Sequence, residues 1–179
     1  MSNKLAIVLP GFRYSKDCPL LYYPAMKYKK MGYEILAIDD YGSCDMKGNP
    51  EQFISDSLDY IAPVLDEIDF NSFDEVVFIA KSVGTALAPR IEDKYKINNA
   101  VHIMLTPIDA TIQYMTDDRI IKYIVSGTED EWISLMSLTQ ACMEYDLNLN
   151  IISDVGHRLE DSNNLERTIG ILKEILENI

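Results

Sequence analysis

The amino-acid sequence predicts an α/β fold: a three-layer sandwich with a six-stranded parallel sheet and helices on both faces. Three observations carry that expectation. Short apolar runs alternate with longer amphipathic ones along the whole chain, the pattern of strand–helix units. Most of the short runs are nearly continuous in Val, Ile, Leu, Met and Ala, as strands covered on both faces are. The chain has 179 residues, 47% hydrophobic and 25% charged, which suits one soluble domain spanning 1–179.

The first strand is expected at Leu5–Leu9. It runs into Pro10-Gly11-Phe12-Arg13, a glycine turn able to aim backbone N–H groups, and then a helical pattern over Leu20–Met31. The second strand is expected at Tyr33–Ile38. A helix over Glu51–Ile68 places Ile54, Leu58, Ile61, Leu65 and Ile68 on one stripe. Pro63 lies inside that stripe and is expected to kink or split the helix, because proline lacks the N–H and its ring clashes with the preceding turn.

The third strand, Glu75–Ala80, leads through Lys81-Ser82-Val83-Gly84-Thr85 into another helical pattern. The fourth, Ala100–Thr106, is followed by Pro107–Arg119, enough for one short helix. The fifth, Ile120–Ser126, leads through Gly127-Thr128-Glu129-Asp130 into a helix over Glu131–Tyr145 that carries Trp132, Leu135, Leu138 and Cys142. The sixth, Leu147–Ile152, is followed by the loop Ser153-Asp154-Val155-Gly156-His157-Arg158-Leu159-Glu160. A final helix, Asn164–Ile179, carries Leu165, Ile169, Leu172 and Leu176. Right-handed crossovers distribute such helices over both faces.

Composition excludes several functions. The chain has 16 Lys+Arg against 29 Asp+Glu, a net charge of −13, which repels phosphate backbones and anionic lipid. No nucleic-acid partner is expected. No G-x-G-x-x-G or G-x-x-x-x-G-K-[ST] occurs, so no phosphate cradle is expected; no cofactor is expected either. Cys18, Cys44 and Cys142 form no C-x-x-C pair and no zinc spacing, so no metal is expected and reduced thiols in a cytoplasmic protein fit best. The apolar run Leu5–Pro10 is too short for a secretory core, and no stretch reaches the length of a membrane span.

Function in open parallel sheets collects at the carboxyl ends of the strands. Ala80-Lys81-Ser82-Val83-Gly84 is a small-x-Ser-x-Gly arrangement at a strand-to-helix turn, which lifts a serine oxygen above the sheet edge. The alternative is a serine that caps an ordinary helix. Asp130 follows the fifth strand; its alternative is likewise a helix cap, and Glu129 is the competing acid. His157 follows the sixth strand, whereas His102, the other histidine, falls within a strand and is expected to be a core residue. Nucleophilic catalysis needs a hydroxyl, an imidazole to take its proton and a carboxylate to hold the imidazole's tautomer. Ser82, Asp130 and His157 supply these in order. The N–H groups of Phe12 and Val83 are candidates for an oxyanion hole.

With these pieces in place the chain resembles the α/β-hydrolase superfamily. The matching segments are L-P-G-F after the first strand, A-K-S-V-G-T at the elbow, S-G-T-E-D-E-W after the fifth strand and V-G-H-R-L-E after the sixth. The resemblance implies strand order 2-1-3-4-5-6, a Ser82 nucleophile, an Asp130 acid and a His157 base. Pro10 stands where the family usually has a histidine, and Pro107–Arg119 is too short for the family's cap domain. Arg13, Tyr14, Pro107, Ile108 and Trp132 are candidate pocket residues, with plain packing as the alternative for each. Lys81, Arg13 and Arg158 are expected to pair with Asp39, Asp40 or Glu160; attraction of an anionic substrate is the alternative.

The expected function is hydrolysis of a carboxylic ester, or a related acyl bond, of a small molecule through an acyl-enzyme. The rivals are a non-catalytic binding protein on the same scaffold and an acyltransferase using the same three groups.

Overall fold

A computed structural model of the chain describes residues 3–42 and 49–179. Cys44 therefore lies outside the described residues. The order of elements is β1 (Lys4–Leu9), α1 (Pro19–Lys30), β2 (Glu34–Ala37), α2 (Pro50–Leu65), β3 (Glu75–Lys81), α3 (Val83–Tyr95), β4 (Ala100–Leu105), β5 (Ile120–Gly127), α4 (Leu135–Glu144), β6 (Leu149–Ile152) and α5 (Leu165–Asn178). Short 3-10 turns lie at Phe70–Ser72 and Asp109–Tyr114.

The six strands form one all-parallel sheet in the order β2-β1-β3-β4-β5-β6. The order reverses between β1 and β3. At such a point the connections leave in opposite directions and open a crevice at the carboxyl edge.

Alternation along the strands explains the three layers. Leu5, Ile7 and Leu9 of β1 and Val76, Phe78 and Ala80 of β3 face α2 and α3. Ala6, Val8, Val77 and Ile79 face α1 and α5 on the other side. Met104 and Ile124 turn toward α4, which covers the far end of the first face. Both faces are buried, so the central strands carry no polar alternation.

Local rules account for most helix boundaries, and tertiary packing accounts for the exceptions. The Asn49 side chain accepts from the N–H groups of Glu51 and Gln52, and Pro50 opens α2. Pro63 does not split this helix, which passes it and ends at Leu65 rather than Ile68. The proline falls in the last turn and is exposed, like Asp59, whose carbonyl would have met the missing N–H. Water can serve that carbonyl at little cost.

Helix α4 starts at Leu135, capped by Ser134, so Trp132 lies outside it and is exposed. In α5 the buried stripe is Ile171 and Ile175, joined by Ile179. Leu165 is 73% and Ile169 57% exposed, while Leu172 and Leu176 lie at the edge of the core. Lys27 anchors this helix end by donating to the carbonyls of Leu176 (2.6 Å) and Ile179 (2.5 Å).

Cys18 and Cys142 are free thiols, and burial pushes the Cys142 thiol up to about 11. Among the described residues, no helix is long and apolar enough to cross a membrane.

Candidate active site

Ser82 joins β3 to α3 with φ 54° and ψ −123°. A side chain is strained there, so surrounding contacts must hold the turn. The Ser82 N–H donates to Leu105 O (3.0 Å), and the Ser82 carbonyl accepts from Thr85 N (2.9 Å) and Thr85 Oγ1 (2.5 Å). Thr85 Oγ1 is itself paired with Thr111 Oγ1 at 2.7 Å. Glycine is needed at 84 because a Cβ there would sit 2.5 Å from the Leu9 carbonyl oxygen. The Ser82 side chain does not cap α3; it is free to face other groups.

Those groups come from two other loops. Ser82 Oγ lies 2.8 Å from His157 Nε2, and His157 Nδ1 lies 2.9 and 2.8 Å from the two carboxylate oxygens of Asp130. The Asp130 side chain is 1% exposed and that of His157 19%. Asp130 accepts further from Trp132 N (2.9 Å) and Ser126 Oγ (3.3 Å). It is therefore a buried acceptor beside the imidazole rather than a helix cap. A carboxylate on Nδ1 favours the tautomer with the proton there, leaving Nε2 to accept from Ser82. Burial holds the His157 pKa below its ordinary value; the Lys81 charge pushes the same way, and Asp130 opposes both. The imidazole is therefore neutral at neutral pH, the form that takes up a proton.

The Asp130 and His157 loops are bound to each other. Thr128 N donates to Ile152 O (2.9 Å), Glu129 N to Val155 O (3.0 Å) and Asp154 N to Thr128 Oγ1 (2.8 Å). A Cβ on Gly127 would fall 2.0 Å from the Val155 carbonyl oxygen. Gly127→Ala is expected to destabilise the fold by about 1–3 kcal/mol. A urea denaturation midpoint close to that of the wild type would contradict this close approach.

The remaining sequence candidates divide. Gly11 abuts Ser82, since a Cβ on it would lie 2.9 Å from Ser82 Cβ, which brings the Phe12 turn to the site. Among the described residues, neither the Phe12 nor the Val83 N–H donates to a side chain or to backbone outside its own element. Phe12, Arg13 and Tyr14 line a cleft of about 390 Å³ together with Tyr41 and Phe53. Tyr41 pins this turn by donating to Pro10 O (2.8 Å). The Trp132 ring lies 6.0 Å from that of His157. Pro107 and Ile108 are buried, and Ile108 is part of the core; packing accounts for both.

Of the three cations, Arg158 pairs with Glu160 as expected. Arg13 instead lies over the Phe12 ring, and Asp39 is taken by Lys16. Lys81 meets no carboxylate among the described residues; its amine bonds to Thr106 Oγ1 and His157 O. His102 is a core residue, stacked on Phe78 with Nε2 on Glu92. Thr85, Thr106 and Ser126 escape sequence reasoning. For Thr106 and Ser126 the only signal is a polar residue at the end of an apolar run, where no alternation demands one; Thr85 sits in the first turn of α3 with no such mark.

No family model matches the chain, and no curated protein matches it in sequence. Solved structures do. An α/β serine hydrolase without lid from Xanthomonas campestris superposes with a TM-score of 0.70 at 13% identity, over 99% of this chain and 82% of that one. An alpha-beta serine hydrolase homologue from Coxiella burnetii gives 0.67 at 13%, over 100% and 86%. Est1E from Butyrivibrio proteoclasticus gives 0.65 at 14%, over 99% and 88%. At such identities the likeness is one of fold. The chain has the α/β-hydrolase fold, in a form without a cap: β4 and β5 are joined by little more than the 3-10 turn.

Proposed function

We propose that the chain is a serine hydrolase that cleaves a carboxylic ester, or a related acyl bond, of a small molecule. The observation that carries this reading is the unbroken line of hydrogen bonds from Ser82 Oγ through His157 to Asp130. His157 Nε2 takes the Ser82 proton as Oγ attacks the carbonyl carbon. The Phe12 and Val83 N–H groups receive the oxyanion, each such donor being worth roughly 3 kcal/mol in the transition state. His157 then protonates the leaving alcohol, and an acyl group stays on Ser82. Water, deprotonated by His157, attacks that acyl group and regenerates the serine. Asp130 holds the imidazole and stabilises its charged form throughout.

A small substrate is further supported by the open cleft of about 390 Å³ that Gly11, the neighbour of Ser82, lines with Phe12, Arg13 and Tyr14. Est1E has been solved with ferulic acid, a carboxylic acid, bound. Residues 1–179 acting as one domain, in the cytoplasm and without a nucleic-acid partner, complete the reading.

A fluorophosphonate probe tests it. The wild type is expected to be labelled at Ser82 and Ser82→Ala to be spared. Equal labelling of both proteins would overturn the assignment.

A further inference from the structure

We propose that Lys81 is a positioning residue for the general base: its buried amine grips the backbone carbonyl of His157 and so keeps the imidazole on Ser82. The inference rests on the Ser82–His157–Asp130 reading above.

Lys81 ends β3, is 1% exposed and immediately precedes Ser82. A lysine enclosed this way gives up its hydration and is tolerated only where its donors are used. Its Nζ donates to Thr106 Oγ1 (2.8 Å) and His157 O (2.8 Å) and lies 4.7 Å from the centroid of the Tyr14 ring. The partners come from three loops, those after β4, β6 and β1. The amine thus ties the strand that bears the serine to the loop that bears the imidazole.

Two of its supports are themselves held in place. Thr106 has φ 46°, a conformation that β-branched residues rarely adopt, and its N–H donates to Val125 O at 2.8 Å. Tyr14 accepts from Leu20 N (3.3 Å) and carries the Arg158 guanidinium 5.3 Å from its ring centroid.

The ionisable groups acting on the amine are Asp130 from the β5–α4 loop, Arg158 and Glu160 from the β6–α5 loop, and Cys18 at the start of α1. The imidazole of His157 and the Tyr14 phenol complete its surroundings. Burial brings the ammonium down to about 7, against the pull of Asp130. In its charged form Lys81 also lowers the His157 pKa. The acid limb of the wild-type rate profile is therefore expected below the ordinary histidine value of 6.5.

The test follows kcat and KM for a short-chain p-nitrophenyl ester from about pH 5 to about pH 9. The proteins compared are the wild type, Lys81→Met, Thr106→Val and Thr106→Ser, with Ser82→Ala as control. Lys81→Met is expected to lower kcat roughly tenfold to a hundredfold, with KM within about threefold. Its acid limb should move up by about half a pH unit, because removing a nearby cation makes the imidazolium easier to form. Thr106→Val, which removes one anchor at constant shape, should lower kcat in the same sense, and Thr106→Ser should restore it.

A folded Lys81→Met protein with wild-type kcat and an unmoved acid limb would overturn the inference. If Lys81→Met does not fold, equal kcat in Thr106→Val and Thr106→Ser would do so. Fluorophosphonate labelling separates the two readings. Labelling of Ser82→Ala removes the triad and Lys81's role with it. A spared Ser82→Ala beside an unaffected Lys81→Met removes only the role of Lys81.

Discussion

Ser82→Ala is expected to lower turnover of a short-chain p-nitrophenyl ester by on the order of a million-fold. The loss is that large because in the proposed mechanism the three side chains act as a unit. Without Oγ there is no covalent intermediate, and His157 Nε2, 2.8 Å from the missing oxygen, has no proton to accept. The residual rate over water, roughly a thousandfold or more, would then come from substrate binding and the proposed oxyanion donors, the amides of Phe12 and Val83. KM should change little, since Oγ adds little to ground-state binding. The Ser82 turn is held by the Leu105 carbonyl, the Thr85 N–H and hydroxyl, and Gly84. None of these contacts uses Oγ, so the alanine protein should melt close to the wild type. Steady-state kinetics with a melting curve on the same sample provide the check. A turnover within about tenfold of the wild type, outside the range expected of an essential nucleophile, would show that Ser82 is not the attacking group.

Asp130→Asn should cost about 10⁴-fold in kcat, and the hydrogen bonds around the carboxylate explain why. One oxygen accepts from the fixed Trp132 N–H, and the other faces the rotatable Ser126 hydroxyl. The asparagine oxygen will take the place that meets the backbone N–H, because an amide NH₂ would meet that donor head-on. The NH₂ then falls at the second position, which lies 2.8 Å from His157 Nδ1. Donation from the amide to Nδ1 moves the imidazole proton to Nε2, where it faces Ser82 as a donor rather than an acceptor. The site keeps its shape and loses its base. Circular dichroism and KM should be near those of the wild type, with kcat carrying the effect; unchanged kcat would sink the role given to Asp130.

Much of this arrangement is legible in the residues alone. The six strands are readable because both faces of the sheet are covered, so that each central strand is a continuous apolar run. Ser82, Asp130 and His157 stand out as candidates because a parallel sheet brings the ends of all its strands to one edge. Short-range chemistry also marks the glycine at 84, where strand and helix pass in near contact.

Periodicity fails where two answers share one period. In α5, Leu165, Ile169, Leu172 and Leu176 repeat at helical spacing, but so do Ile171 and Ile175, one helix face away. Only docking against the sheet decides that the isoleucines are buried. The start of α4 is similar: Asp130 looks like a helix cap and Glu131 like the first turn, yet Asp130 is drawn to His157 and the helix begins at Leu135.

The sequence by itself therefore determined the class of fold, the order of the chemical groups and the strand ends on which they sit, since apolar continuity and turn chemistry are local properties. Which groups meet was decided by tertiary structure alone. The partners of Lys81 are 25 and 76 residues away in the chain, and nothing within a few residues of a lysine reveals whether folding will leave it in water or enclose it among a tyrosine ring, a threonine hydroxyl and a carbonyl.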